Sequence, residues 1–259
     1  MHADTTLLIK HMIEQQANSD WGKIDWWDVD TKGYERKYNE ILFEKNSEHI
    51  SGVVLDIGAG RDDSSRYEEL SPTKITYVAV DIADKDGVDV RGDARRLPFE
   101  TDSVDTVVVS AMLYQIPLDE VDPVLQEIRR VLKPDGTCLG WVPFVYQLHS
   151  QPRDYYRPSQ FGMETAFETA GFRDVTVYAA GYFHQFLLQV LHGEYVRLCA
   201  FVGLPRWSFL FIQIPVVASA WIVDTLARSA GIRRPWRQNW PVGCFIRAKP
   251  HTTCSDKDV

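Results

Sequence analysis

The chain has 259 residues, 45% of them hydrophobic and 25% charged, with a formal net charge of −8. That is a soluble globular balance, long enough for one large domain or a domain with a cap. The four cysteines, Cys138, Cys199, Cys244 and Cys254, form no CxxC or Cys/His spacing. This excludes a zinc site and any other metal cluster of that kind, and points to free thiols in a reducing compartment. Met1-His2-Ala3-Asp4 lacks the basic start and apolar run of a signal peptide, so a cytoplasmic location is expected.

In chain order, residues 5–16 read as a short helix, broken by Asn18-Ser19-Asp20. Trp21, Trp26 and Trp27 follow in a polar stretch; they would cap a pocket or pack against the sheet edge. Residues 34–48 read as a second helix, with Tyr38, Ile41, Leu42 and Lys45 near one face. Val53-Val54-Leu55-Asp56-Ile57 is an apolar run broken only by Asp56, the pattern of a buried strand. Residues 75–81 and 104–110 are two more strands. Residues 123–132 form an amphipathic helix with Val124, Ile128, Val131 and Leu132 as its face and Pro123 in its first turn. Pro134-Asp135-Gly136 reads as a turn before a strand over 137–142. A helix over 159–170 closes at Gly171, and strands over 175–179 and 243–248 complete the set. Strands alternating with helices give a Rossmann-like, doubly wound α/β sheet.

The charge is unevenly distributed. From Gly181 to Pro250 there are eight basic residues against Glu194 and Asp224, which makes that segment +6 and the rest of the chain −14. The imbalance bears on partners.

Ligands of open α/β sheets bind at the carboxyl ends of the strands, near the switch point. After the first strand come Asp56, Gly58 and Gly60, where glycine permits a tight turn and close approach of a ligand. A dinucleotide fingerprint would place a third glycine at position 63, where this chain has Asp63; that argues against a nicotinamide oxidoreductase. Asp81 ends the second strand, 21 residues beyond Gly60, at the distance where a carboxylate accepts from ribose hydroxyls. Asp93 in Gly92-Asp93-Ala94-Arg95-Arg96-Leu97-Pro98-Phe99 is placed to take an adenine amino group.

The ordered set VLDIGAG, VDI, GDARRLPF, SVDTVVVSAML and RRVLKPDG resembles the class I S-adenosylmethionine-dependent methyltransferases, and most of all the group with a type 11 methyltransferase domain. The likeness covers roughly residues 52–142, with weaker support to 180. It implies a seven-stranded, mostly parallel sheet with an antiparallel last strand, and S-adenosylmethionine as cofactor. By resemblance, Asp56, Gly58 and Gly60 line the methionine and ribose, Asp81 holds the ribose hydroxyls, and Ile82 packs on the adenine. Asp93 takes the adenine amino group with Ala94 beside it, and Ser110 flanks the methionine portion. Such a loop holds a nucleoside with an amino-acid tail, so a third glycine is not needed. Related sequences often have Glu-His where this chain has Tyr114-Gln115, and Arg61-Asp62-Asp63 is unusually charged for this loop. The first departure leaves open a second reading, a methyltransferase-like binding module without catalysis.

A sulfonium methyl is already activated, so alignment of the acceptor contributes much of the catalysis, roughly 7–11 kcal/mol. For a hydroxyl acceptor the candidate base is His149, with Tyr156 as a second catalytic candidate. Tyr114, Gln115, Tyr155 and Arg157 are candidate contacts to the acceptor, Arg157 as a clamp for a carboxylate or phosphate. The expected reaction is methylation, at oxygen, of a small-molecule, glycan or lipid-linked acceptor.

In the resembled fold a short loop commonly joins the last two strands. Here residues 182–242 intervene, basic and very apolar, and residues 207–223 carry no charge. Gln213 and Pro215 interrupt that run, and it is at the lower limit for a membrane span. The alternatives are a lid or dimer contact, and an amphipathic hairpin lying on a membrane surface. In the second case Arg206, Arg228, Arg233, Arg234 and Arg237 would meet anionic headgroups at about 1 kcal/mol each, with Trp207, Trp221, Trp236 and Trp240 at the interface. The expected organisation is a helical cap (1–50), a methyltransferase core (51–181), this insertion (182–242), a last core strand (243–250) and a disordered tail (251–259). No nucleic-acid partner is expected for so acidic a core, the location is cytoplasmic or peripheral on the inner face of the membrane, and the oligomeric state is left open.

Overall fold

The computed structural model describes residues 34–60, 63–146, 148, 150–181, 183–203, 208, 210–229 and 241–250. The helix expected at 5–16, the Trp21, Trp26 and Trp27 cluster, His149 and the tail lie outside the described residues.

Seven strands form one sheet: β1 (Gly52–Ile57), β2 (Ile75–Asp81), β3 (Val90–Arg91), β4 (Val104–Ser110), β5 (Leu132–Pro143), β6 (Phe172–Ala180) and β7 (Gly243–Pro250). Their order is β3-β2-β1-β4-β5-β7-β6. β7 runs antiparallel to both β5 and β6, and the other pairings are parallel. The order reverses between β1 and β4, and the carboxyl ends of those strands open there.

The apolar strands are continuous because both faces are covered. Leu55, Ile57, Val107 and Val109 belong to one core with α3 (Val121–Val131) and α4 (Gln160–Thr169). Val54 and Val108 belong to the other, with Leu42 and Phe43 of α1 (Tyr34–Lys45) and Tyr67 of α2 (Ser64–Leu70). Successive residues thus point to opposite faces.

Three expectations shift. α1 ends at Lys45 and gives way to a 3-10 turn over Ser47–His49. Its buried face is Tyr38, Leu42 and Phe43, with Lys45 in solvent. Leu132 begins β5 rather than closing α3. Pro134-Asp135-Gly136 is not a turn before a strand: it lies within β5 as an irregularity, since Val104 pairs with Leu132 but Thr106 pairs with Thr137. Two contacts hold the irregularity. Lys133 Nζ reaches both carboxylate oxygens of Asp105 at 2.8 and 2.9 Å. A Cβ on Gly136 would press to 3.0 Å on the carbonyls of Asp105 and Lys133. One α-helix and one strand were not read from sequence, the seven-residue α2 and the two-residue β3.

The helix expected from 159 has Ser159 as its N-cap, accepting from the Gly162 amide. The insertion holds two helices, α5 (Phe183–Val202) and α6 (Leu210–Ser229), before the chain returns as β7. Pro215 lies inside α6. Among the described residues no helix is long and apolar enough to cross a membrane.

Candidate active site at the carboxyl ends of β1, β2 and β4

The loop after β1 is folded over the end of β2. The amides of Gly58 and Ala59 both donate to the Val80 carbonyl, at 2.8 and 3.2 Å. Gly58 and Gly60 have φ of +74° and +66°, a region that L side chains adopt at a cost. A Cβ on Gly58 would also fall 2.9 Å from Met112 Cβ. Both glycines are therefore required, one by conformation and space, the other by conformation.

Asp81 is held from two sides. Its Oδ2 accepts from the Gly60 amide at 3.0 Å and its Oδ1 from the Ala83 amide at 2.8 Å. Each oxygen keeps acceptor capacity, so the fixed carboxylate can receive two adjacent hydroxyls. Beside it Ile82 is 49% exposed, an apolar surface at a strand end.

Asp56 is 4% exposed and accepts from the Tyr77 hydroxyl at 3.0 Å. Burial pushes its carboxyl up to about 7; the Tyr77 hydrogen bond opposes this, Asp63 adds to it and Arg66 opposes it. The Tyr77 hydroxyl also accepts from the Asp63 amide at 3.4 Å, so one phenol joins the acid of β1 to the glycine loop. Its ring stacks on Tyr67 with centroids 5.7 Å apart.

Asp93 has a partner of its own. Arg95 donates to it from the backbone amide at 2.9 Å and from Nε and Nη2, and its Nη1 reaches Glu120 at 2.7 Å. The guanidinium holds the Asp93 carboxyl below its ordinary range. Ala94 packs against the core. Ser110 Oγ accepts from Asn39 Nδ2 of α1 at 2.9 Å. Asn39 Oδ1 is buried without a partner among the described residues.

A second group lies beyond Ala111, which has φ +55°. Gln115 Nε2 donates to the Ala111 carbonyl at 3.0 Å and to the Tyr114 hydroxyl at 3.3 Å. The Tyr114 and Ser150 hydroxyls are 3.0 Å apart, and the Tyr155 amide donates to the Tyr114 carbonyl at 3.0 Å. Arg157 binds both oxygens of Asp154 and the Tyr146 carbonyl and lies over the Tyr114 ring, 5.0 Å from its centroid. Its charge is met inside the protein, so this arginine braces the wall rather than standing free as a clamp. Tyr156 OH is buried without a partner among the described residues, and burial pushes the phenol up to about 12. It is a hydrogen-bond donor at neutral pH and not a base. Tyr155 is half exposed at the rim.

The structure thus brings the expected residues into two groups, Asp56, Gly58, Gly60, Asp81 and Ile82 on one side and Tyr114, Gln115, Tyr155, Tyr156 and Arg157 on the other. The segment Ser110-Ala111-Met112 joins them. Sequence reasoning missed Tyr77, Asn39, Met112 and Ser150. Tyr77 pairs with Val54, which puts Asp56 at the diagonal position on the same face; that signal exists only once the register is known.

Residues 55–140 match the family model of a methyltransferase domain. The span runs from Leu55 on β1 to Gly140 on β5 and contains every residue of the first group. This segment is similar to methyltransferase domains. An uncharacterized protein of Haemophilus influenzae is 30% identical over 141 residues, covering 51% of this chain and 52% of that one. The ubiquinone/menaquinone biosynthesis C-methyltransferase of Desulfotalea psychrophila is 25% identical over 140 residues, 49% of this chain and 56% of that one. The chain therefore spans about half the length of these curated relatives. A SAM-dependent methyltransferase of Archaeoglobus fulgidus superposes with a TM-score of 0.51 at 18% identity, over 83% of this chain and 94% of that one. At that identity the likeness is one of fold. The site fits a nucleoside: a fixed carboxylate for a diol, an apolar shelf next to it, and a loop whose Gly58 leaves no room for a Cβ beside Met112.

Proposed function

We propose that this protein is an enzyme that transfers the methyl group of S-adenosylmethionine to an oxygen of a small-molecule, glycan or lipid-linked acceptor. The observation that carries the reading is the Asp81 carboxylate, gripped by the Gly60 and Ala83 amides at the switch point. Asp81 would hold the ribose hydroxyls, Ile82 the adenine face, and Asp93 with Ala94 the adenine amino edge. Asp56, Gly58, Gly60 and Ser110 would line the methionine portion. The bound cofactor supplies a methyl group already activated on a sulfonium.

What the chain itself must do is orient the acceptor and remove its proton. Tyr114, Gln115, Tyr155 and Tyr156 offer hydrogen bonds along the acceptor wall, stiffened by the Arg157–Asp154 pair. His149 is the proposed base for a hydroxyl, since the Tyr156 phenol stays protonated at neutral pH. Buried free thiols at Cys138, Cys199 and Cys244 support a reducing, cytoplasmic setting.

The test incubates purified protein with methyl-tritiated S-adenosylmethionine and a cell extract, then partitions the products between organic and aqueous phases. Organic counts identify a lipid or lipid-linked acceptor; aqueous counts identify a soluble one. Tight binding of S-adenosylhomocysteine with no counts in either phase would overturn the enzymatic reading. The Desulfotalea relative is named a C-methyltransferase, so the labelled product is also analysed for the atom that carries the methyl.

A further inference from the structure

Among the described residues, each of the two helices between β6 and β7 exposes a stripe of large apolar side chains. On α5 the exposed large side chains are Leu187, Val190, Leu191, Leu198, Phe201 and Val202, with Phe201 89% exposed. They recur at i, i+3, i+4, i+11, i+14 and i+15, a single stripe of a helix. On α6 Phe211, Ile214, Ile222 and Leu226 are exposed on one side, Phe211 by 73%. The inner side is occupied: Leu188 and Cys199 are buried, and Tyr195 and Val216 pack against the core under α1. The Tyr195 and Ser208 hydroxyls, 2.7 Å apart, tie α5 to the segment before α6. A surface helix of a soluble domain has polar residues where these stripes lie. A contiguous apolar surface of this kind marks an interaction site.

Charge selects the occupant. Residues 182–242 carry six arginines against Glu194 and Asp224, a charge of +4, while the remainder carries −12. A second copy seated on this face would bring two +4 segments together. An anionic bilayer takes both the apolar stripes and the positive charge; in sequence Arg206, Arg233, Arg234 and Arg237 flank α6, and Arg228 is in its last turn. We propose that α5 and α6 form a membrane-docking surface that lays their outward apolar stripes into the interface of an anionic lipid bilayer. The helices lie in the interface and do not span. Docking narrows the proposed acceptors to one held in the same bilayer. That consequence rests on the methyl-transfer reading, whereas docking itself does not, so the two can fail separately.

The experiment sediments the full chain with phosphatidylcholine vesicles, with and without roughly a third phosphatidylglycerol. Phe201→Asp and Leu226→Asp, at positions 89% and 63% exposed, are compared with the unaltered chain, and circular dichroism checks that each folds. The expected result is sedimentation with the anionic vesicles only, reversed at about 0.5 M salt, and reduced about tenfold or more by either substitution. Three outcomes overturn the proposal: no sedimentation, binding indifferent to lipid charge, or binding that both Phe201→Asp and Leu226→Asp leave intact. A lipid-free dimer that Phe201→Asp dissociates would also overturn it, in favour of a second copy on this face.

Discussion

Tyr77 of β2 donates its hydroxyl to Asp56 of β1 across the sheet at 3.0 Å, and the acid it holds is almost wholly buried. Burial pushes the Asp56 carboxyl up to about 7. An acid that binds its proton more tightly in the folded state loses stability by ionising. The penalty is absent below about pH 4, grows as pH rises towards 7, and is complete above it. Asp56→Asn removes the charge and keeps an acceptor for Tyr77. It is expected to stabilise the ligand-free protein at pH 8, on the order of 2 kcal/mol, with no gain at pH 4, read by urea unfolding at both pH values. Tyr77→Phe deletes the hydrogen bond that opposes the rise, so the carboxyl moves higher still. Its S-adenosylhomocysteine affinity, followed by calorimetry from acid to alkaline pH, should fall about fivefold near neutrality, with its pH midpoint displaced upward. An unmoved midpoint would remove Tyr77 from the site.

Asp81 is the second test. In Asp81→Asn one side-chain atom becomes a donor facing a backbone donor, so Gly60 N–H or Ala83 N–H is left unpaired. Charge-assisted bonds of this type are worth about 1.5–3 kcal/mol. S-Adenosylhomocysteine should therefore bind at least about tenfold more weakly by calorimetry, and the melting temperature of the ligand-free protein should fall as well, because the amide is left unpaired with or without ligand.

Gly58→Ala combines a positive φ with a clash. The strain costs about 1–3 kcal/mol, and the new methyl meets the Met112 side chain. The variant should melt earlier and bind S-adenosylhomocysteine poorly. Adding Met112→Ala should recover little of the melting temperature, because it removes the Cγ contact but leaves the Cβ contact at 2.9 Å and the strained backbone.

Tyr156 separates a structural role from a functional one. Its hydroxyl is buried without a partner among the described residues, so Tyr156→Phe should leave stability unchanged or raise it by about 1 kcal/mol. Label transfer to the extract should nevertheless fall if the phenol donates to the acceptor. Undiminished transfer would assign Tyr156 to packing alone.

Local pattern and tertiary structure contributed differently to these residues. The apolar runs at 53–57, 75–81 and 104–110 were legible because parallel strands covered on both faces have little use for polar residues. Gly58, Gly60 and Asp81 were legible because turn conformation and strand-end position are local properties. Short elements were not: the two residues of β3 carry no periodicity, and they pair only because Asp81 is already in place to receive Arg91. The irregular stretch in β5 looked like a turn because Pro134-Asp135-Gly136 has turn chemistry; pairing with β4 on both sides of it made it part of a strand.

By itself, then, the amino-acid sequence determined the alternation of strands and helices, the glycine loop with its acids, and the apolar, basic character of residues 182–242. Only the tertiary structure decided that Tyr77 holds Asp56, that Asn39 reaches Ser110, that Arg157 is met by Asp154, and that α5 and α6 turn apolar stripes outward. The reason is physical. Backbone preference and hydrophobic period act over a few residues, whereas a diagonal contact, a buried ion pair or an uncovered face depends on which distant segment packs alongside.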